Sequence, residues 1–419
     1  MALPLVACLA CRGSPMSADN VCSADFQPDT IGTNTRTVDT MLADATGVFQ
    51  IHVAVRWAER MGPAGTAPIG VLLHGGWDHI GTPVTVDMPH LDTTQPLVDI
   101  HLDLPGGGQS GGTDDERGPL AAAAVAAVLQ WAHGDTVDAA GCHLQDRIPP
   151  ANADDIYVVG ASNGGNLAYA TLTDETLDLP PLAGLVTWET PVAATFASVE
   201  LGADPTVYTP GACQWTAANG IQCQFPADEL LALPADPTSE LCFDINADGR
   251  CEDGVDAIVH GPPRPETGEL MLSPDLRLAM DERGLLVTGY ASAADDDTWW
   301  AYRDASRRVQ LLTQRWPDLP VLLIGSDVDH ILSTWTDHPH IHGIGQALQA
   351  SGAAWTRLNP GSTWLPANHT ENAPDLPLSL LGDDGQMLTE QAESPLDQPL
   401  TAAVFELSSR HASGDWTSE

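Results

Sequence analysis

The apolar positions of this chain fall into short β-branched runs set apart by longer mixed stretches. Residues 49–57 alternate apolar and mostly polar side chains, the period of a strand with one face in water. Residues 69–73 (Ile-Gly-Val-Leu-Leu) form a continuous apolar run that leads straight into His74, Gly75, Gly76 and Trp77. Another run spans 97–103 and is closed by Pro105 and Gly106 to Gly108. Residues 156–159 (Ile-Tyr-Val-Val), 182–188 and 320–325 read as buried strands, and 353–358 as a short last one. Residues 119–133 are Ala-rich and predict a helix. Strand and helix alternate, which predicts an α/β fold: a mostly parallel sheet with helices on both faces. Over residues 196–305 the alternation stops, and Pro, Asp and Cys accumulate. That region reads as an irregular, disulfide-bearing cap inserted between a first core part, 34–195, and a second, 306–419. No internal repeat is visible.

Charge narrows the function classes. There are 16 basic and 57 acidic residues, a net charge of -41, and every basic residue is Arg. Such a surface repels nucleic acid and anionic membranes, so nucleic acid is not expected as a partner. No apolar run reaches the length a transmembrane helix needs. The eight cysteines show no paired zinc pattern. Cys213 with Cys223, and Cys242 with Cys251, lie close together in polar segments and read as local disulfides, with Cys22 and Cys142 as further candidates. At the N-terminus, Leu5-Val6-Ala7-Cys8 resembles a bacterial lipobox, which makes Cys8 the lipidation candidate, although a basic region is missing and the apolar run is short. Residues 1–33 read as an export-type N-terminus and tether. The expectation is an extracytoplasmic protein, secreted or lipid-anchored.

The chemistry centres on Gly160-Ala161-Ser162-Asn163-Gly164, which follows the 156–159 strand and precedes a helix-compatible segment. A serine hydroxyl is a weak nucleophile at neutral pH and must be held exposed beside a base. A sharp strand-to-helix turn does this, and glycines on either side let neighbouring chain pass close. The following helix N-terminus aims its partial positive charge at the reacting centre.

These motifs together resemble the α/β-hydrolase superfamily, over about residues 49–195 and 306–410. The Ser-Asn-Gly-Gly elbow is similar to those of secreted esterases and prolyl-oligopeptidase-like enzymes. The resemblance implies Ser162 as nucleophile and an oxyanion loop at Gly75, Gly76 and Trp77. The N–H groups of Trp77 and Asn163 are then the donors to the developing oxyanion. It implies a triad acid after the 320–325 strand, where Asp329 is favoured over Asp327, with Glu189 as a third candidate at the end of the 182–188 strand. It implies His369 as the base, in the order Ser, Asp, His. His338, His340 and His342 alternate around Pro339 and are not read as a metal site, and His411 is expected on the surface of a final helix.

A second chemical stretch is Asp244, Asn246 and Asp248 followed by Gly249, which matches the start of an EF-hand-type loop. Val255 stands where the bidentate Glu should be, so Glu252, Asp253 or Asp256 must complete the set. A structural Ca2+ is therefore expected in the cap, and no organic cofactor. The function expected is an exported serine hydrolase cleaving carboxylic esters, small or polymeric. A prolyl-oligopeptidase-like peptidase and a non-catalytic, calcium-dependent surface binding protein are the alternatives.

Overall fold

Short β-branched runs and Ala-rich helices build a single large mixed sheet. The computed structural model describes residues 22, 27–28, 35–44, 47–58, 61, 63–75, 91–93, 95–192, 214–222, 230–232, 241–243, 248–249, 257–259, 264, 267–286, 289–325, 339–360 and 397–416. In chain order the first elements are β1 (Gln27–Pro28), β2 (Thr35–Ala43), β3 (Gln50–Ala58), β4 (Ala67–Leu73), β5 (Val98–Leu102), α1 (Pro119–His133), α2 (Leu144–Arg147), β6 (Ala151–Ala161), α3 (Asn163–Thr173) and β7 (Gly184–Trp188). Five three-residue strands follow: β8 (Gln214–Thr216), β9 (Gly220–Gln222), β10 (Leu230–Ala232), β11 (Leu241–Phe243) and β12 (Ala257–Val259). Then come α4 (Pro274–Glu282), α5 (Ala293–Arg303), α6 (Ala305–Arg315), β13 (Val321–Ile324), α7 (Ile344–Ala350), β14 (Thr356–Leu358) and α8 (Asp397–Ser413).

The main sheet has nine strands in the order β1-β2-β3-β5-β4-β6-β7-β13-β14. From β5 to β14 every neighbouring pair is parallel, and β1 to β3 add an antiparallel edge that joins β5 through β3. Alternation along β6 assigns its two faces. Ile156 and Val158 point into a core shared with α1, α3, α6 and α7. Tyr157, Val159 and Ala161 point into a second core, closed by Leu400, Ala403, Val404 and Leu407 of α8. Burial of both faces explains the continuous apolar runs.

One expectation is corrected here. Residues 49–57 read as a half-exposed strand, yet all of β3 after Gln50 is buried. The 103–111 turn lies against its polar side: Ser110 Oγ accepts from His52 N, and the Gln109 side chain reaches the His52 ring. His52 meets this with a buried hydrogen bond from its ring Nδ1 position to Asp103 Oδ2 at 2.8 Å, and that bond draws its pKa up from the usual histidine value. Part of the N-terminal tether is also attached to the core: β1 pairs with β2, and Cys22 is bonded to Cys142, 120 residues away. The inserted region carries two small antiparallel sheets, β8–β9 and β10–β11–β12, followed in the chain by α4 and α5.

Candidate active site

The elbow forms as its residue types dictate. Ser162 sits between β6 and α3 with φ 51° and ψ -124°, a conformation that L side chains rarely adopt. Its N–H donates to the Trp188 carbonyl at 2.8 Å, and its own carbonyl accepts from Gly165 N at 2.8 Å. The turn is thus tied to the end of β7 and to the first turn of α3. A Cβ on Gly164 would strike the Leu73 carbonyl at the end of β4, and one on Gly75 would lie 2.7 Å from the Ser162 Cβ. Those two glycines let the backbone after β4 lie against the nucleophile. Every residue of α3 is buried, and the Asn166 side chain spans its surroundings, donating to Pro191 O at 2.9 Å and accepting from Ala305 N at 2.8 Å.

Because β4, β6, β7, β13 and β14 run parallel and in register, Gly75, Ser162, Glu189, Gly325 and Asn359 all lie at one end of the sheet. Glu189 is buried with φ 37°, and its N–H donates to Ile324 O at 3.1 Å. The buried Asn359 side chain latches the neighbouring strand ends, donating to Gly325 O and accepting from Gly325 N, both at 3.1 Å. The loops bearing the expected acid and base depart from these two strand ends. Asp327, Asp329, His369, Gly76 and Trp77 lie outside the described residues. So do Asp244, Asn246, Glu252, Asp253, Asp256, Cys8, Cys213, Cys223 and Cys251. Asp248 is exposed, and Gly249 beside it has φ 79°, the turn a calcium loop needs at that glycine. Cys242 falls in β11, and His411 is exposed on α8. Among the described residues no three His, Cys, Asp or Glu side chains are grouped to hold a metal ion, and no helix is long and apolar enough to cross a membrane.

The sequence reading missed two polar groups that hold the loop after β4. The first is a buried chain. Asp99 and His101 alternate along β5 on the face away from Val98, Ile100 and Leu102, and both are fully buried. His101 Nε2 lies 2.6 Å from Asp99 Oδ2, and His101 Nδ1 lies 3.0 Å from His74 Nε2. Burial, aided by the Arg56 guanidinium, holds His101 well below the usual histidine range. Burial and then the neighbouring His101 and Arg117 do the same to His74. In the neutral form that burial favours, His101 donates to Asp99 Oδ2 and accepts from His74 Nε2–H. His74 Nδ1, which has no hydrogen-bond partner, then carries only a lone pair. That is the cheaper atom to leave unpaired, since a bare acceptor costs less than an orphaned donor. The signal was present in the sequence as two polar residues at alternate positions of a buried run.

The second group is Arg117, just before α1. It is buried and has φ 57°, next to Glu116 at φ 51°. Two successive non-glycine residues in this region cost roughly 1–3 kcal/mol each. Arg117 NH2 donates to the Gly75 carbonyl at 2.9 Å. Burial, together with the charge of Asp114, pushes the Glu116 carboxyl up to about 7, and burial draws Arg117 down to about 10.

No protein-family model and no curated protein matches this sequence. Solved structures do align with it. A thermostable esterase from Pseudomonas putida is 13% identical, with 96% of this chain and 88% of that chain covered at a TM-score of 0.45. An acetyl xylan esterase from Paenibacillus is also 13% identical, over 80% of this chain and 79% of that one, at 0.39. Prolyl oligopeptidase B from Galerina marginata is 10% identical, with 91% of this chain but 37% of that longer chain covered, at 0.43. The sheet order, the strand directions and a left-handed serine between central strand and buried helix make this an α/β-hydrolase fold.

Proposed function

We propose that this chain is an exported serine hydrolase that cleaves carboxylic esters through an acyl-enzyme on Ser162. The observation that carries the reading is the strained Ser162 at the end of β6 with the Gly75 backbone packed against it, a strand–turn–helix elbow beside an oxyanion loop. In this reading His369 is the base and Asp329 orients it. The Ser162 Oγ bonds to the acyl carbon while its proton passes to His369. That proton then goes to the leaving alkoxide as the ester C–O bond breaks. Water adds to the acyl-enzyme, giving its proton to His369. The acyl C–Oγ bond breaks, Oγ recovers the proton and the carboxylic acid leaves. The N–H of Asn163, at the start of α3, and that of Trp77 face the transient oxyanion.

The Cys22–Cys142 disulfide supports an oxidising compartment, and Cys8 is proposed as a lipid anchor. A structural Ca2+ is proposed at Asp244, Asn246 and Asp248 with Glu252, Asp253 or Asp256, and the left-handed Gly249 suits that loop. A chelator should then lower the melting temperature.

A fluorophosphonate probe tests the core of the reading. Wild type should be labelled and Ser162→Ala should not. An unlabelled wild type would leave the calcium-dependent binding scaffold as the better account. A panel of p-nitrophenyl esters and aminoacyl p-nitroanilides then separates esterase from peptidase; faster anilide cleavage would overturn the ester assignment.

A further inference from the structure

We infer that Arg117 is a positioning residue for the Gly75 backbone that packs against Ser162. The inference rests on the hydrolase reading above. Among the described residues the buried guanidinium makes a single hydrogen bond, and it goes to the carbonyl of Gly75. Three other features of Arg117 count against its being there for stability, although the charges of Asp114 and Glu116 favour the cation. Its backbone is left-handed, as is that of Glu116. It lies just before the N-terminus of α1, where the helix dipole disfavours a cation. Its Nε is buried with no partner. A fold that retains such a group for one backbone contact is using that contact.

The contact reaches the nucleophile through covalent geometry. Gly75 lies so close to Ser162 that an added Cβ would stand 2.7 Å from the serine Cβ and 3.3 Å from its Oγ. A peptide group is planar and trans, so holding the Gly75 carbonyl fixes the orientation of the Gly75 backbone at the end of β4. The His74–His101–Asp99 chain braces the residue before it. Asp114 and Glu116 are the acidic groups that face the guanidinium, and His74 is the neighbouring ring.

The test uses full-length wild type, Arg117→Met and Arg117→Lys, with p-nitrophenyl acetate kinetics, fluorophosphonate labelling rates and thermal unfolding. A displacement of about 1 Å at the reacting centre costs about 10²-fold in rate, so loosening the Gly75 backbone should cost about tenfold or more in kcat. The expected order of kcat is wild type, then Lys, then Met, with KM within about twofold throughout and labelling rates falling in step. Arg117→Met, or Arg117→Lys should Met not fold, overturns the inference if it keeps wild-type kcat or if its loss appears in KM instead. Failure of wild type itself to label or turn over is a separate result: it sinks the hydrolase reading.

Discussion

Replacing Gly75 with Ala should damage catalysis far more than folding. Gly75 is not in the left-handed region, so the added methyl meets a problem of space alone. Its carbon would stand 2.7 Å from the Ser162 Cβ, 3.0 Å from the Ala161 carbonyl and 3.3 Å from the Ser162 Oγ. Carbon atoms pack at about 3.5–4.0 Å, so the two chains must part by roughly 1 Å. Neither neighbour is the tip of a flexible side chain. Ser162 is held by its hydrogen bonds to Trp188 and Gly165, and Gly75 by Arg117, so the strain falls on the gap between oxyanion loop and nucleophile. Overpacking of this size costs about 1–3 kcal/mol of stability. A displacement of about 1 Å at the reacting centre costs about 10²-fold in rate. The assay pairs steady-state hydrolysis of p-nitrophenyl acetate with denaturant unfolding. Folded Gly75→Ala protein should show kcat lowered about 10²-fold. A variant with kcat within about threefold of wild type would refute the claim that this contact sets the site.

Two further outcomes follow from the same structure. Glu116 keeps its proton up to about pH 7 in the folded protein but loses it near its ordinary 4.5 when unfolded, so its contribution to stability is complete below 4.5 and lost as pH rises to 7. Glu116→Gln should therefore gain melting temperature over wild type at pH 8 and match it near pH 4; an equal difference at both pH values would refute the assignment. The Cys22–Cys142 bond closes a separation of 120 residues and pins β1 beside the core, so Cys142→Ala should lose about 2–5 kcal/mol in denaturant unfolding. Wild type that unfolds identically with and without reductant would contradict it.

Much of the fold was legible because its signals are local. Runs of β-branched residues mark β4, β6, β7 and β13 whatever surrounds them, and an Ala-rich stretch opened by Pro119 marks α1. The elbow was legible because a nucleophile on a tight turn needs small neighbours, and the glycines flanking Ser162 are those neighbours. The Arg117 contact was not. Nothing in the segment around it names Gly75 as its partner, because that pairing depends on where α1 begins relative to the end of β4. The buried character of His52 and Arg56 was hidden for a similar reason, since alternation cannot reveal that both faces of a strand will be covered.

Sequence alone determined the class of the sheet, the place of the proposed nucleophile and the glycine-rich loop beside it, since each follows from backbone preferences and side-chain size over a few consecutive residues. Tertiary structure alone decided that Asp99 and His101 line up with His74, that Cys22 meets Cys142, and that α8 seals the second face of the sheet. Those facts depend on strand order and register, which bring together residues far apart in the chain. Burial, which exists only once the layers have closed, then makes their hydrogen bonds obligatory.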